Sequence, residues 1–262
     1  GIKNINELIN HSIDIAIVST PSGIHFSQTK LLLENGINVL TEKPATMKIT
    51  ELEELIKIAE QRNLKYGVFF QNRFNKAIRK VKEAAHSNIF GSIKLCSIKL
   101  HWCREQNYYE DGWHGTWKND GGVINQQAIH HIDAFNWIVG PVQKVCSLAA
   151  NQLNNLEAED TLVAALKLKN GGLGTLEATT AARPDDFEAS ISIVGEKGMV
   201  EVGGVALNEI KQWKFIDQKD NFNEIREKFS QKVPSGMGLS HYLLLKKVVE
   251  TIVNNENTEI IS

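Results

Sequence analysis

The run Ile13-Asp14-Ile15-Ala16-Ile17-Val18-Ser19-Thr20-Pro21-Ser22-Gly23, taken with Ile37-Asn38-Val39-Leu40-Thr41-Glu42-Lys43-Pro44, decides the fold. Residues 13–18 and 37–40 are short, nearly unbroken aliphatic and β-branched runs, the pattern of strands buried on both faces of a parallel sheet. Between them, Ser19–Gly23 is a turn cluster that caps a helix. Residues 24–35 then carry apolar side chains at helical spacing, and Gly36 supplies a C-terminal stop. A second helix is expected over 50–62, with Leu52, Leu55, Ile56 and Ala59 on one side, and residues 65–70 read as a third strand. Strand, helix, strand, helix, strand predicts a right-handed parallel α/β layer over residues 1–72, resembling half of a doubly wound nucleotide-binding unit.

Beyond Arg73 the alternation stops. A helix over 75–85 leads into a strand over 92–102, then a polar and aromatic loop from Arg104 to Lys118. A helix opens at Gly121-Gly122, and from Val142 onward strands dominate: 143–150, 161–169, 174–181, 189–194 and 199–202. Asn170-Gly171-Gly172 and Gly195-Glu196-Lys197-Gly198 are hairpin turns between strand pairs. A last helix is expected over 240–254. Residues 73–262 therefore read as an α+β domain with a large, mostly antiparallel sheet, its second face available for a partner subunit. The fold class is α/β plus α+β.

Bulk properties narrow the function. A net charge of −2 gives no electrostatic case for nucleic acid or an anionic membrane. No apolar run approaches the ~20 residues needed to span a bilayer. The three cysteines, an odd number without C-x-x-C spacing, read as reduced thiols of a cytoplasmic protein.

Two stretches carry chemistry. Thr41-Glu42-Lys43-Pro44 places a lysine at the carboxyl end of a parallel strand, where open α/β sheets bind ligands. Burial would lower its pKa toward the range useful for proton transfer. The helix after Gly121-Gly122 aligns Gln126, His130 and Asp133 on one face, and Asp133, a turn beyond His130, is placed to fix the imidazole tautomer. The plain alternative is a hydrogen-bonded core histidine with its carboxylate partner. Trp113 and Trp117 of the preceding loop are candidates for stacking on a sugar ring, against the alternative of surface anchors. Arg73, Arg104 and Lys118 are candidate anion binders.

These marks together resemble the Gfo/Idh/MocA family of NAD(P)-dependent oxidoreductases acting on sugars and cyclitols. The resemblance rests on Thr20-Pro21 with His25, Glu42-Lys43-Pro44, Gln71-Asn72-Arg73-Phe74, and Gly121-Gly122 followed by His130 and Asp133. It implies Lys43 and His130 as catalytic residues and NAD or NADP as cofactor, bordered by Thr20, Pro21, His25, Glu42, Lys43 and Pro44. Gln126, Trp113, Trp117, Arg73 and Asp133 then face a sugar or nucleotide-sugar substrate of the kind used for cell-surface polysaccharides. It also implies a homo-oligomer, dimer or tetramer, without a resident metal. Two departures stand out. Gln126 occupies a position where the family often has an aspartate, so no relay proton passes through it. No Gly-x-Gly-x-x-Gly loop occurs in the chain, and by the resemblance that segment lies ahead of Gly1. The chain thus reads as truncated at both ends, with Ile260-Ile261-Ser262 starting a further element. Two other readings remain: a non-catalytic remnant or sugar-binding protein of the same fold, and a hydrolase with a metal on His130, His131 and Asp133. Adjacent histidines point about 100° apart on a helix, which weakens the last.

Overall fold

The computed structural model describes residues 1, 4–217, 221–231, 240–254 and 256, and its strands divide into two sheets. After a short α1 (Ile5–Leu8), strands β1 (Ile15–Val18), β2 (Asn38–Thr41) and β3 (Tyr66–Val68) pair in parallel in that order. Helices α2 (His25–Glu34) and α3 (Ile49–Arg62) cover one face, where Leu32, Leu33, Leu55 and Ala59 meet Ala16, Val18 and Val39. Asn63, left-handed at φ 52°, ends α3 and turns the chain into β3. The other face of the sheet is also covered, which is why its strands read as unbroken apolar runs rather than alternating ones.

The second sheet has seven strands: β4 (Ile93–His101), β5 (Val142–Ala150), β6 (Thr161–Leu168), β7 (Leu173–Thr179), β8 (Glu188–Gly195), β9 (Gly198–Gly203) and β10 (Glu209–Phe215). Their order is β10-β9-β8-β4-β7-β6-β5, and every pair is antiparallel except β4 with β7. Helices α4 (Lys76–His86) and α5 (Ile129–Val139) press Ile78, Val81, Phe135 and Ile138 onto Ile98, Leu166, Ile191 and Ile193. The helix-facing residues of β6 are buried and the alternate ones exposed, so the sheet has one dry and one open face. Strand β10 is not legible in the sequence, because a bulge between Ile210 and Gln212 breaks its alternation. Helix α6 (Phe222–Phe229), also unforeseen, sits beside β10.

Helix α7 (Ser240–Val253) follows the second sheet in the chain but does not pack with its core. It returns to the first sheet, where Leu244 and Val248 pack on Leu40, Phe69 and Phe74 and supply the second cover of the parallel strands. The expected further element at Ile260-Ile261-Ser262 lies outside the described residues.

Between β5 and β6, the buried Asp160 organises the connecting turn. It accepts the backbone N–H groups of Gln152 at 2.8 Å, Leu153 at 3.0 Å and Asn154 at 2.9 Å, and the Thr161 hydroxyl at 2.9 Å. Burial alone would raise its pKa, but these donors outweigh it and hold the carboxyl below its ordinary value. A carboxylate of depressed folded pKa stabilises the fold above its unfolded pKa, and that stability is lost as pH falls below about 4. Asp160→Asn is expected to cost about 1–3 kcal/mol at neutral pH, by turning one acceptor into a donor among N–H groups. Urea melts at pH 7 and pH 3 check this: the deficit of the variant should shrink at the lower pH.

Candidate active site

Lys43 stands just beyond the carboxyl end of β2, and the Lys43–Pro44 peptide is cis. The turn that presents it is tied to the end of β1 by His25, whose Nδ1 lies 2.8 Å from the Pro44 carbonyl and whose Nε2 lies 2.7 Å from the Thr20 carbonyl. Since both partners are acceptors, the ring bridges two strand ends through whichever of its nitrogens carry protons. Thr20 Oγ1 also donates to Gln28 at 2.8 Å, and Glu42 accepts the Lys43 backbone N–H at 3.2 Å. The residues expected along the cofactor edge thus form one connected rim on the parallel sheet.

The second lobe brings its helix to this rim through Asp120-Gly121-Gly122. The glycines have φ of 77° and 78°, which side-chain-bearing residues rarely adopt. A Cβ on Gly122 would fall 2.3 Å from the Glu159 carboxylate, while the Glu159 carbonyl accepts the Val123 N–H at 3.0 Å. The chain then makes a wide π turn over Ile124–Ala128 before α5, a device often found at functional positions. Lys43 Nζ donates to the backbone carbonyl of Gln126 at 2.8 Å and to its side-chain Oε1 at 2.9 Å. The residue standing where a relay aspartate is common therefore grips the lysine with both of its carbonyls.

Lys43, Gln126 and His130 line one cavity of about 410 Å³ with Gln71, Asn72, Trp102, Arg104, Tyr108, Gln127, His131, Val205 and Ala206. Burial pulls the Lys43 pKa down, and the charges of Glu42 and Asp120 partly restore it. The His130 pKa falls well below the usual histidine range through burial first, then through Lys43, His131 and His241. His130 is therefore a neutral imidazole at physiological pH. Its Nδ1 is buried with no partner among the described residues, and its Nε2 lies 3.5 Å from Gln71 Nε2, long for a hydrogen bond. This arrangement supplies a neutral base and a clamped amine to the same space.

Asp133 does not fix the His130 tautomer, which corrects that expectation. Both its oxygens are taken by Arg73, at 2.8 Å from Nε and 2.5 Å from Nη2, and the guanidinium lies over Phe70 and Trp137. A planar fork on a half-buried carboxylate wins this contest over an imidazole a turn away. Trp113 packs against His114, the rings tilted by 32° with centroids 3.6 Å apart, and Trp117 is exposed; neither lines the cavity. The aromatic walls are instead Trp102 and Tyr108, just beyond the end of β4, a position that carries no motif in the sequence. His131 also lines the cavity. It is buried edge-on to Trp102, both ring nitrogens have no partner among the described residues, and burial lowers its pKa to about 4. Among the described residues, no three His, Cys, Asp or Glu side chains converge as a metal site.

A partial Rossmann-type layer joined to a lobe with a broad, mostly antiparallel sheet defines the architectural class. Two family models match in the same order: an oxidoreductase-family, NAD-binding Rossmann fold over residues 1–70, and the GFO/IDH/MocA C-terminal domain over 78–201. The WlbA dehydrogenase of Chromobacterium violaceum, solved with NADH and UDP-GlcNAcA, is 34% identical with a TM-score of 0.91, covering 100% of this chain and 74% of its own. The Bordetella pertussis WlbA dehydrogenase, solved with the same two ligands, is 32% identical with a TM-score of 0.93, covering 98% of this chain and 75% of its own. An uncharacterised oxidoreductase of Synechocystis is 28% identical over 223 residues, 79% of this chain and 59% of that protein. The chain belongs to the GFO/IDH/MocA oxidoreductase family, and it spans about three fifths of the length of the curated relatives it matches.

Proposed function

We propose that the protein carrying this chain is an NAD(P)-dependent oxidoreductase that interconverts a hydroxyl and a carbonyl on a sugar or nucleotide sugar. The observation that carries this reading is the meeting of Lys43 and His130, from different lobes, in one cavity at the ligand edge of a parallel sheet. The residues fit the nicotinamide end of such a cofactor: Gln71 Oε1 is buried there with no partner among the described residues. Thr20, Pro21, His25, Glu42 and Pro44 would border it. The chemistry a bound nicotinamide supplies is hydride exchange with the carbinol carbon. His130 takes the hydroxyl proton on Nε2. Lys43, with two directions held by Gln126, turns its third toward the same hydroxyl and orients it. Gln126 carries no proton but fixes the lysine. Trp102 and Tyr108 provide faces for the sugar ring.

The test is turnover by the full-length protein with NAD or NADP and a panel of sugars and nucleotide sugars, read by nicotinamide absorbance. A low His130 pKa places the acidic limb of kcat/KM below about pH 6.5, because the base works only when deprotonated. Failure to bind NADH or NADPH would leave the non-catalytic sugar-binding reading.

The polysaccharide context, a cytoplasmic location and the division at residue 72 belong to this same proposal. Among the described residues, no helix is long and apolar enough to cross a membrane. A second copy of the chain is the partner we assign to the open face of the large sheet. Its helices cover the other face, while Leu95, Val163, Leu173, Val194 and Met199 stand exposed on neighbouring strands of the open one. Sedimentation of the full-length protein as a dimer or tetramer at micromolar concentration is expected; a clean monomer would remove the oligomer from the proposal.

A further inference from the structure

The cavity around Lys43 has a second chemical character. Among the described residues its lining holds two cations, Lys43 and Arg104, and no carboxylate. Lys43 is engaged by Gln126. Arg104 is held differently: its guanidinium carbon lies 5.1 Å from the Trp102 ring centre and 5.7 Å from that of Tyr108. Stacking against two aromatic rings fixes the plane of the fork without using its hydrogen-bond donors. Among the described residues only Nη1 has partners, the Cys103 carbonyl at 2.6 Å and Asp186 at 3.3 Å, and Asp186 stands outside this cavity. The backbone behind it is also fixed, since Arg183 Nη2 donates to the Arg104 carbonyl at 2.9 Å. On the same cavity wall, Trp102 Nε1 and both nitrogens of His131 are buried with no hydrogen-bond partner among the described residues. Buried donors are rarely left unmade, so their joint presence on one wall calls for an oxygen-bearing group on the ligand.

We propose that Arg104 is a specificity-determining residue that receives an oxyanion of the substrate, with Trp102 Nε1 and the protonated nitrogen of His131 as flanking donors. The inference deepens the oxidoreductase reading and rests on it for the identity of the cavity. A carboxylate accepts a planar fork in two parallel bonds, and a phosphate does so as well. The shared chemistry is a negatively charged oxygen pair, carried either by the sugar itself, as in a uronic acid, or by the diphosphate of a nucleotide sugar. A neutral sugar would leave the remaining guanidinium donors and the buried indole N–H without an acceptor, and so binds less well.

The test is direct calorimetric binding to the full-length protein, which does not depend on turnover. Three probes separate the sources: UDP-GlcNAcA with both anions, UDP-GlcNAc with the diphosphate alone, and the free N-acetylglucosaminuronate with the carboxylate alone. Arg104→Gln is expected to weaken UDP-GlcNAcA binding by about 10- to 100-fold, the range for a lost charged hydrogen bond. Arg104→Lys, which keeps the charge but not the fork or the stacking, should recover only part of it. A parallel loss for the free uronate places the carboxylate on Arg104, whereas a parallel loss for UDP-GlcNAc places the diphosphate there. Equal affinities of wild type and Arg104→Gln for all three probes, or no binding of any probe to wild type, overturn the proposal. NADH binding, followed by its fluorescence, should be unchanged in both variants. This checks that they are folded, and it separates the two ideas: wild type that binds an anionic sugar but no nicotinamide sinks the oxidoreductase reading and leaves the oxyanion site standing.

Discussion

Replacing His130 by alanine in the full-length protein is expected, on the oxidoreductase proposal, to slow turnover by about 10²–10⁴-fold, the usual contribution of a positioned general base. Three features of the site support a value in that range. His130 is kept neutral by burial and by the nearby Lys43 charge, so nearly all of it is competent at physiological pH. Among the described residues no group competes strongly for Nε2, since the Gln71 amide is 3.5 Å away. The side chain stands on α5, held from beneath by Phe135 and Ile138 in the main core, so its position is fixed by packing rather than by a mobile loop. NADH affinity should change little in His130→Ala. Lys43→Met is expected to behave differently and to impair both turnover and cofactor binding, because Lys43 belongs to the strand-end rim as well as to the catalytic cavity. Stopped-flow reduction of the nicotinamide with saturating sugar, together with NADH titration, separates the two patterns. Loss of NADH binding in His130→Ala with an unchanged chemical step would reverse the assignment.

The legibility of this site in the sequence followed the physics of each part. Lys43 was readable because a doubly covered parallel strand is an unbroken apolar run, and the chemistry of such sheets gathers at the carboxyl ends of strands. His130 and Gln126 were readable because four residues bring side chains back to one side of a helix, and the π turn preserved that relation. The role of Asp133 was not readable. Helical phase places it beside His130, but Arg73, from the chain just after the third parallel strand, reaches it first. The aromatic walls were misread for a similar reason: Trp113 and Trp117 are prominent in sequence, whereas Trp102 and Tyr108 gain their place from the end of β4, a strand inserted between β7 and β8 by long-range pairing. Helix α7 shows the same limit at the level of the fold, since its apolar stripe says that it packs but not on which sheet.

The joint between the lobes gives the other large effect, through Gly23. This residue lies in the turn after β1, and the loop leading to the Gly121-Gly122 pair passes directly over it. A Cβ at Gly23 would sit 2.4 Å from the Lys118 carbonyl oxygen, 2.3 Å from the Asn119 side chain and 3.1 Å from the Asn119 Cα. The side chain can swing away, but the carbonyl and the Cα belong to the backbone, so the loop itself has to lift. That loop is not free to lift cheaply. Asp120, two residues on from Lys118, is buried and accepts the Gly115 N–H at 2.9 Å, and the Gly121 N–H bonds to the Thr116 carbonyl at 2.9 Å. Gly23→Ala is therefore expected to cost about 1–3 kcal/mol of stability as overpacking. Its larger effect should fall on chemistry: the wedge moves the start of the helix bearing Gln126 and His130 relative to the strand end bearing Lys43. A misplacement of ~1 Å between reacting groups can cost ~10²-fold in rate. The expected signature is a fall in kcat of about that size with the His130-dependent acidic limb still visible, because the base is intact but displaced. Gly23→Ala with wild-type kcat and an unchanged thermal midpoint would mean that the two lobes do not meet at this turn in the full-length protein.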